Sequence, residues 1–390
     1  MSTRKQHPKR FSDSPCLSSD ARLTTSARIA IRDSLGVKAD EKVLIVTNPD
    51  AEVAAISRAL YDAAVELGAR PVLMFQAVKT QMDFAEDAVI AAFGAKPDVF
   101  VSMSAEKLGK DRAGIAKPYE LGERKWDHAF HLQLYGEKTC RAFWSPGVTL
   151  DSFVRTVPID YALLKNRCAA IKEILDQAVS VSVTAPGGTD IVIGLLGRTA
   201  KSDDGDFSRA GTGGNLPAGE TFVSPANGTA NGRIVFDGSM SLHDGDVLIE
   251  SPIVCTVVDG FIAEIAGDAE ASALLETVSL AERNAVEYEA TGKLPTGAGA
   301  IYAKNARNIG ELGIGLNPAA TVSGNMLEDE KAFRTCHFAV GHNYDEDAPA
   351  LIHLDGLVKR PTIIARMENG TEIVIEREGE LAPEIELPVR

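Results

Sequence analysis

From Glu41 to Asn48 the chain reads EKVLIVTN, a short apolar run rich in Val and Ile. The stretch that follows, DAEVAAISRALYDAAVELGA, places apolar residues at helical spacing, and Gly68 marks its C-terminal cap. RPVLMFQ, PDVFVSMS and CRAFWSPG repeat the strand signature further on. Continuous apolar strands separated by helices predict a doubly wound parallel sheet covered on both faces. The amphipathic segment YALLKNRCAAIKEILDQA, Tyr161 to Ala178, is expected to close this α/β unit.

The pattern then changes. VSVTAPGGTDIVIGL predicts a hairpin turning at Pro186, Gly187 and Gly188. Short strands with Gly-rich turns follow: GRIVFDG, DVLIESPIVCTVVDGFIAEIAG and TEIVIERE. One helix, Ala269 to Thr291, is expected to interrupt them. The prediction is a disordered tail over 1–19, an N-terminal α/β domain over 20–178 and a C-terminal β-rich domain over 179–390 that carries the chemistry. The tail is basic, polar and rich in Pro and Ser, without the apolar core of a secretory signal.

Length and charge narrow the classes. A chain of 390 residues exceeds one ordinary core, which fits two domains. A formal net charge of −15 argues against a nucleic-acid groove and against docking on anionic membrane. Cys16, Cys140, Cys168, Cys255 and Cys336 are odd in number and show no CxxC spacing. They suit a reducing compartment, and no stretch has the roughly 20 apolar residues a bilayer span needs. A cytoplasmic location is expected.

The first domain offers little chemistry. Neither GxGxxG nor a Walker loop follows its first strand, so a nucleotide is not indicated. His128 and His131 in WDHAFHLQL alternate with apolar residues and fit a strand edge or core position better than a metal site. Trp126 and Trp144 read as packing residues. The second domain differs. Glu220 enters a strand from the constrained loop AGTGGNLPAGETF, and Glu311 is the one charge in the Gly-rich apolar run NIGELGIGLNP. A charge in such a run is usually paired or ligates a cation. LEDEKAFRTCHFAVGHNY adds Glu330, His337, His342 and Tyr344. In LIHLDG, His353 and Asp355 stand two apart and share a strand face, a compact N/O chelate for a divalent metal. Two imidazoles with at least three carboxylates exceed what one divalent ion neutralises comfortably, which suggests two ions arranged for hydrolysis.

These residues resemble the M29 metallo-aminopeptidases, densely over Gly213 to Gly356 and by pattern alone before that. The resemblance implies metal ligands at Glu220, Glu311, His337, His353 and Asp355, a catalytic or supporting acid at Glu330 and an active-site phenol at Tyr344. It also implies two zinc, cobalt or manganese ions, a peptide substrate and a homodimer. The chain departs from that pattern in a longer gap between Glu220 and Glu311 and a shorter one between His337 and His353. A related branch, similar to 2,5-dihydroxypyridine 5,6-dioxygenase, shares the final His-x-Asp pair but holds one Fe(II) and has His where this chain has Glu311. Glu311 together with Glu220 favours the aminopeptidase reading. The dioxygenase is the alternative, and small-molecule binding without turnover is a third reading.

Overall fold

The computed structural model describes residue 10, residues 20–80 and residues 83–386. Apart from Arg10, the expected tail over 1–19 lies outside the described residues. The described residues form two compact units: those up to 161 with 205–218, and 162–204 with those from 219 onward.

The first unit is α/β, with a five-stranded parallel sheet. Its strands are β1 (Lys42–Thr47), β2 (Arg70–Phe75), β3 (Val99–Met103), β6 (Arg141–Trp144) and β10 (Gly213–Asn215). The order is β10-β6-β3-β1-β2, with every pairing parallel. Val43, Leu44, Ile45 and Val46 in β1 are buried, as are all five residues of β3. Asp50 caps helix Ala51–Glu66 by accepting from the amides of Glu52 and Val53 at 2.9 and 3.3 Å. Gly68, at φ +77°, ends it as the sequence predicts. A small hairpin, β4 (Tyr119–Leu121) with β5 (Arg124–Trp126), stands apart from this sheet.

Two features depart from the expected boundary at 178. Helix Tyr161–Gln177 falls almost wholly in the second unit, where Leu164, Cys168, Ile171 and Leu175 are buried. Segment 205–218 returns to the first unit and contributes β10.

The second unit contains two antiparallel sheets. The eight-stranded one runs β16 (Phe261–Ala266), β15 (Ile253–Val258), β12 (Asn231–Phe236), β8 (Asp190–Gly194), β7 (Ala178–Thr184), β20 (Thr362–Met367), β21 (Glu372–Arg377) and β22 (Glu380–Leu381). The predicted hairpin is its β7–β8 pair. The seven-stranded sheet runs β14 (Gly245–Leu248), β13 (Ser239–Leu242), β19 (His353–Lys359), β18 (Thr335–Gly341), β17 (Ile309–Gly315), β11 (Glu220–Val223) and β9 (Lys201–Asp203). Helix Ala269–Ala290 lies where expected, but a second helix follows at Ala298–Asn305.

Register divides the seven-stranded sheet into two chemically opposite faces. Leu312 pairs with Phe338 and Phe338 with Gly356, while Ile314 pairs with Cys336. These residues line an apolar face on which Leu312, Ile314, Cys336 and Phe338 are fully buried. Burying a Phe or Leu side chain contributes roughly 1.5–3 kcal/mol. At Gly356 a β-carbon would meet Phe236 and Met240 at 2.6 Å, so glycine is what lets those side chains close on the sheet. The other face carries the polar residues.

Candidate metal centre

The polar face is built by direct cross-strand pairing. Asp203 pairs with Glu220 and Glu220 with Gly315. Phe222 pairs with Gly313, Gly313 with His337 and His337 with Leu357. Glu311 pairs with Ala339 and Ala339 with Asp355, while Gly341 pairs with His353. Directly paired residues point the same way. Glu220, Glu311, His337, His353 and Asp355, named from the sequence, therefore converge on one surface.

The distances are short. His337 Nε2 lies 3.1 Å from Glu311 Oε1 and 3.5 Å from Glu220 Oε2. His353 Nε2 lies 3.6 Å from Glu311 Oε2 and 3.4 Å from Asp355 Oδ1. Small residues make this possible. A β-carbon at Gly313 would overlap the His337 ring, and one at Gly315 would run into the Ala332 carbonyl. Gly315 thus admits the turn after helix Met326–Asp329, which brings Glu330 and Lys331 over the sheet. The turn is tied down by its own acids. Glu328 accepts from the Thr321 amide at 2.7 Å, and Asp329 from the Ser323 and Gly324 amides at 2.8 and 2.9 Å.

His353 Nδ1 lies 2.8 Å from the His342 carbonyl. Donation there fixes the tautomer that turns Nε2 toward the carboxylates, as in imidazoles that ligate metals. What His342 contributes to the site is that backbone carbonyl. Tyr344 is half exposed, and its ring centre lies 5.0 Å from that of His353 and 5.3 Å from that of Phe222. Its segment is anchored from behind. Lys201 Nζ donates to the Tyr344 carbonyl at 2.6 Å, and Arg198 and Asn343 hold the Asp347 carboxylate at 2.8 and 2.6 Å.

Lys331 and Asp203 belong to the cluster but were not among the sequence candidates. Lys331 is fully buried, with Nζ 2.5 Å from Glu220 Oε1, 2.8 Å from Glu330 Oε1 and 3.3 Å from Asp203 Oδ2. The signal available for Lys331 was a lone cation in the acidic run LEDEK. Asp203 gave none, because only its pairing with Glu220 brings it in. His128 and His131 lie in the first unit on a short helical turn, not a strand. The His128 ring accepts from the Phe130 amide at 3.1 Å as a helix cap.

The donors suit a cation. Glu220 Oε2, Glu311 Oε2, Asp355 Oδ1 and His337 Nδ1 are buried without a hydrogen-bond partner. Leaving such groups unsatisfied is costly. Among the described residues, Glu311, His337 and Asp355 form one group able to hold an ion, and Glu220, Glu330 and His337 form another. Protonation follows the same excess of negative charge. Burial opposes a charged His337, but its bond to Glu311 and the surrounding carboxylates raise it to about 9. His353 is likewise raised to about 10 against burial, chiefly by Asp355. Burial pushes Asp355 up, yet the two imidazoles outweigh it and hold it at about 2. Burial dominates at Glu330 and Asp203, raising them to about 8 and about 7. A divalent ion would take over the role these protons play in balancing the site.

With this geometry established, the chain can be set beside known proteins. A family described as 2,5-dihydroxypyridine 5,6-dioxygenase matches residues 149–340. No curated protein matches the sequence. The structure superposes on a 2,5-dihydroxypyridine dioxygenase from Pseudomonas putida KT2440 with a TM-score of 0.67 and 19% identity, covering 95% of this chain and 100% of that one. It also superposes on wild-type AmpT from Thermus thermophilus with a TM-score of 0.60 and 17% identity, covering 93% and 99%. At these identities the likeness establishes a shared fold, the mixed α/β architecture expected from the sequence. Among the described residues no helix is long and apolar enough to cross a membrane.

Proposed function

We propose that this chain is a metal-dependent enzyme and that it opens a hydroxylated N-heteroaromatic ring with dioxygen at an Fe(II) centre. The observation that carries the reading is the donor set. Two imidazoles, His337 and His353, and the carboxylate of Asp355 meet on one sheet face, with Glu311 beside them. Two His and one carboxylate suit non-haem Fe(II) oxygenases. The family match over residues 149–340 and the overlap with the Pseudomonas dioxygenase support the same choice.

His337, His353 and Asp355 would hold the ion, with Glu311 available as a fourth donor. When bound, iron supplies the one-electron chemistry that lets dioxygen react with an electron-rich ring. The other tasks fall to side chains. Phe222 and Tyr344 offer aromatic faces at the edge of the site against which a flat ring can stack. Burial and the carboxylates around it raise the Tyr344 phenol, so it stays protonated and can donate a hydrogen bond to a ring oxygen. The His342 carbonyl keeps the His353 ring in place while substrate enters. Both oxygen atoms enter the product as a ring bond breaks, so no further reductant is required.

Glu311 favours a second reading, a dinuclear aminopeptidase. A carboxylate can bridge two ions where an imidazole cannot, and Glu220, Glu330 and His337 form a second potential group. One experiment separates the two. Protein loaded anaerobically with Fe(II) should consume dioxygen with a dihydroxypyridine. Protein loaded with zinc, cobalt or manganese should not cleave aminoacyl-anilides. Anilide hydrolysis without oxygen, together with no oxygen uptake, would overturn the proposal in favour of the peptidase.

A further inference from the structure

We propose that the Lys331 ammonium is a built-in cation that occupies the second ion position, so that the centre takes one metal ion. The inference rests on the metal-centre reading above and adds the number of ions. An ammonium has three N–H donors. Around Lys331 Nζ stand three carboxylates, Glu220 at 2.5 Å, Glu330 at 2.8 Å and Asp203 at 3.3 Å. Donors and acceptors match one for one, so the ammonium is saturated by this set. A buried charge is tolerated when paired and hydrogen-bonded in this way.

The consequence falls on Glu220, Glu330 and His337, the second group with metal-holding geometry. An ion there would bond carboxylate oxygens at about 2.0–2.2 Å. Two of those carboxylates already contact Nζ. The ion and the ammonium would then share the Glu220 and Glu330 carboxylates, like charges only a carboxylate's width apart in a buried site with little screening. Lys331 has no room to withdraw, because it is fully enclosed and its backbone is fixed. Its carbonyl accepts from the Asn317 amide at 2.9 Å, and its own amide donates to Glu328 at 3.0 Å. On the opposite side of the cluster, where Glu311 and Asp355 meet His337 and His353, no ammonium is an ion-pair partner of Glu311 or Asp355 among the described residues. That side is left for the single ion.

The test counts ions. Metal-free protein is titrated with Co(II), followed by its visible absorption bands and by elemental analysis after gel filtration. Wild type should bind one equivalent. Lys331→Ala should bind two, and excess Co(II) should raise its melting temperature further than that of wild type. Lys331→Arg, which keeps a cation, should stay at one. Lys331→Met, which removes the charge but keeps an apolar chain of similar length, should also bind two; this holds the test open if Lys331→Ala does not fold. Two equivalents in wild type, or one in folded Lys331→Ala or Lys331→Met, would each overturn the inference. No binding by wild type would instead refute the metal centre itself.

Discussion

Replacing Gly313 by alanine tests whether the site depends on the room that glycine leaves. Gly313 lies directly across from His337 in the β17–β18 pair. An added β-carbon would lie 2.9 Å from His337 Cδ2 and closer still to Cε1 and Nε2. Ordinary carbon contacts fall near 3.5–4.0 Å, so the nearest edge of the ring must retreat by about 1.5 Å. Gly313 has no positive φ, so alanine adds no backbone strain and the collision is the whole perturbation. Overpacking a core costs about 1–3 kcal/mol. Metal bonds tolerate only about 0.2 Å of error, so most of that cost should appear as lost affinity, roughly tenfold to a hundredfold at about 1.4 kcal/mol per decade. A chromophoric chelator competing for the metal gives the affinity, and thermal melts of the metal-free protein give the remainder. The double variant Gly313→Ala with His337→Ala removes the collision and should recover the melting temperature lost in the single variant. Unchanged affinity and an unchanged melt in Gly313→Ala would refute the reasoning.

Two further predictions concern buried acids away from the centre. Glu376 is fully buried, neither carboxylate oxygen has a partner, and burial with the Glu380 charge raises it to about 8. Its folded value lies above the unfolded one, so the folded state binds the extra proton and stability falls as pH rises from about 4.5 to about 8. Glu376→Met should remove this slope and gain roughly 2–4 kcal/mol at pH 8 in chemical denaturation; a parallel pH profile in the two proteins would rule this out. Asp111 accepts from the amides of Gly114 and Ala129 and from the Tyr119 hydroxyl, at 2.9, 3.0 and 2.9 Å. Burial acts to raise its pKa, but the two amides and the hydroxyl together leave it lowered. Its stabilisation is therefore lost as pH falls through the folded value, and Asp111→Asn should cost about 1–3 kcal/mol at neutral pH. A melt identical to wild type would show that these bonds contribute nothing.

The sequence displayed the parts of this protein that follow local rules. The Val- and Ile-rich runs of β1 and β3 could only be buried strands, and Glu311 stood out because no other charge interrupts its apolar surroundings. His353 and Asp355 share a face simply because strands alternate. Other features depend on pairing between distant segments and left no local trace. β10 is Gly213, Gly214 and Asn215, with no apolar side chain to give a strand pattern, so the return of 205–218 to the first unit was hidden. Helix Ala298–Asn305 starts after a Gly-rich stretch and carries little amphipathic pattern. Lys331 gave no sign of its burial because its three carboxylate partners come from β9, β11 and its own turn. Helix Tyr161–Gln177 was recognised as amphipathic, but an apolar stripe does not say which core it covers.

The two faces of the seven-stranded sheet share one reading frame. Leu312 and Ile314 alternate with Glu311 and Gly313, as Cys336 and Phe338 alternate with His337 and Ala339. Inserting or deleting a single residue in β17 or β18 would turn every later side chain over. The polar groups would enter the core and the apolar ones would face the centre, so fold and site would fail together. Length changes can therefore accumulate in the connections between these strands, or at a bulge such as the register shift before Glu311, but not within the ladder from Glu311 to Ile314. Such a sheet can acquire new specificities by altering its loops while the frame beneath them stays fixed.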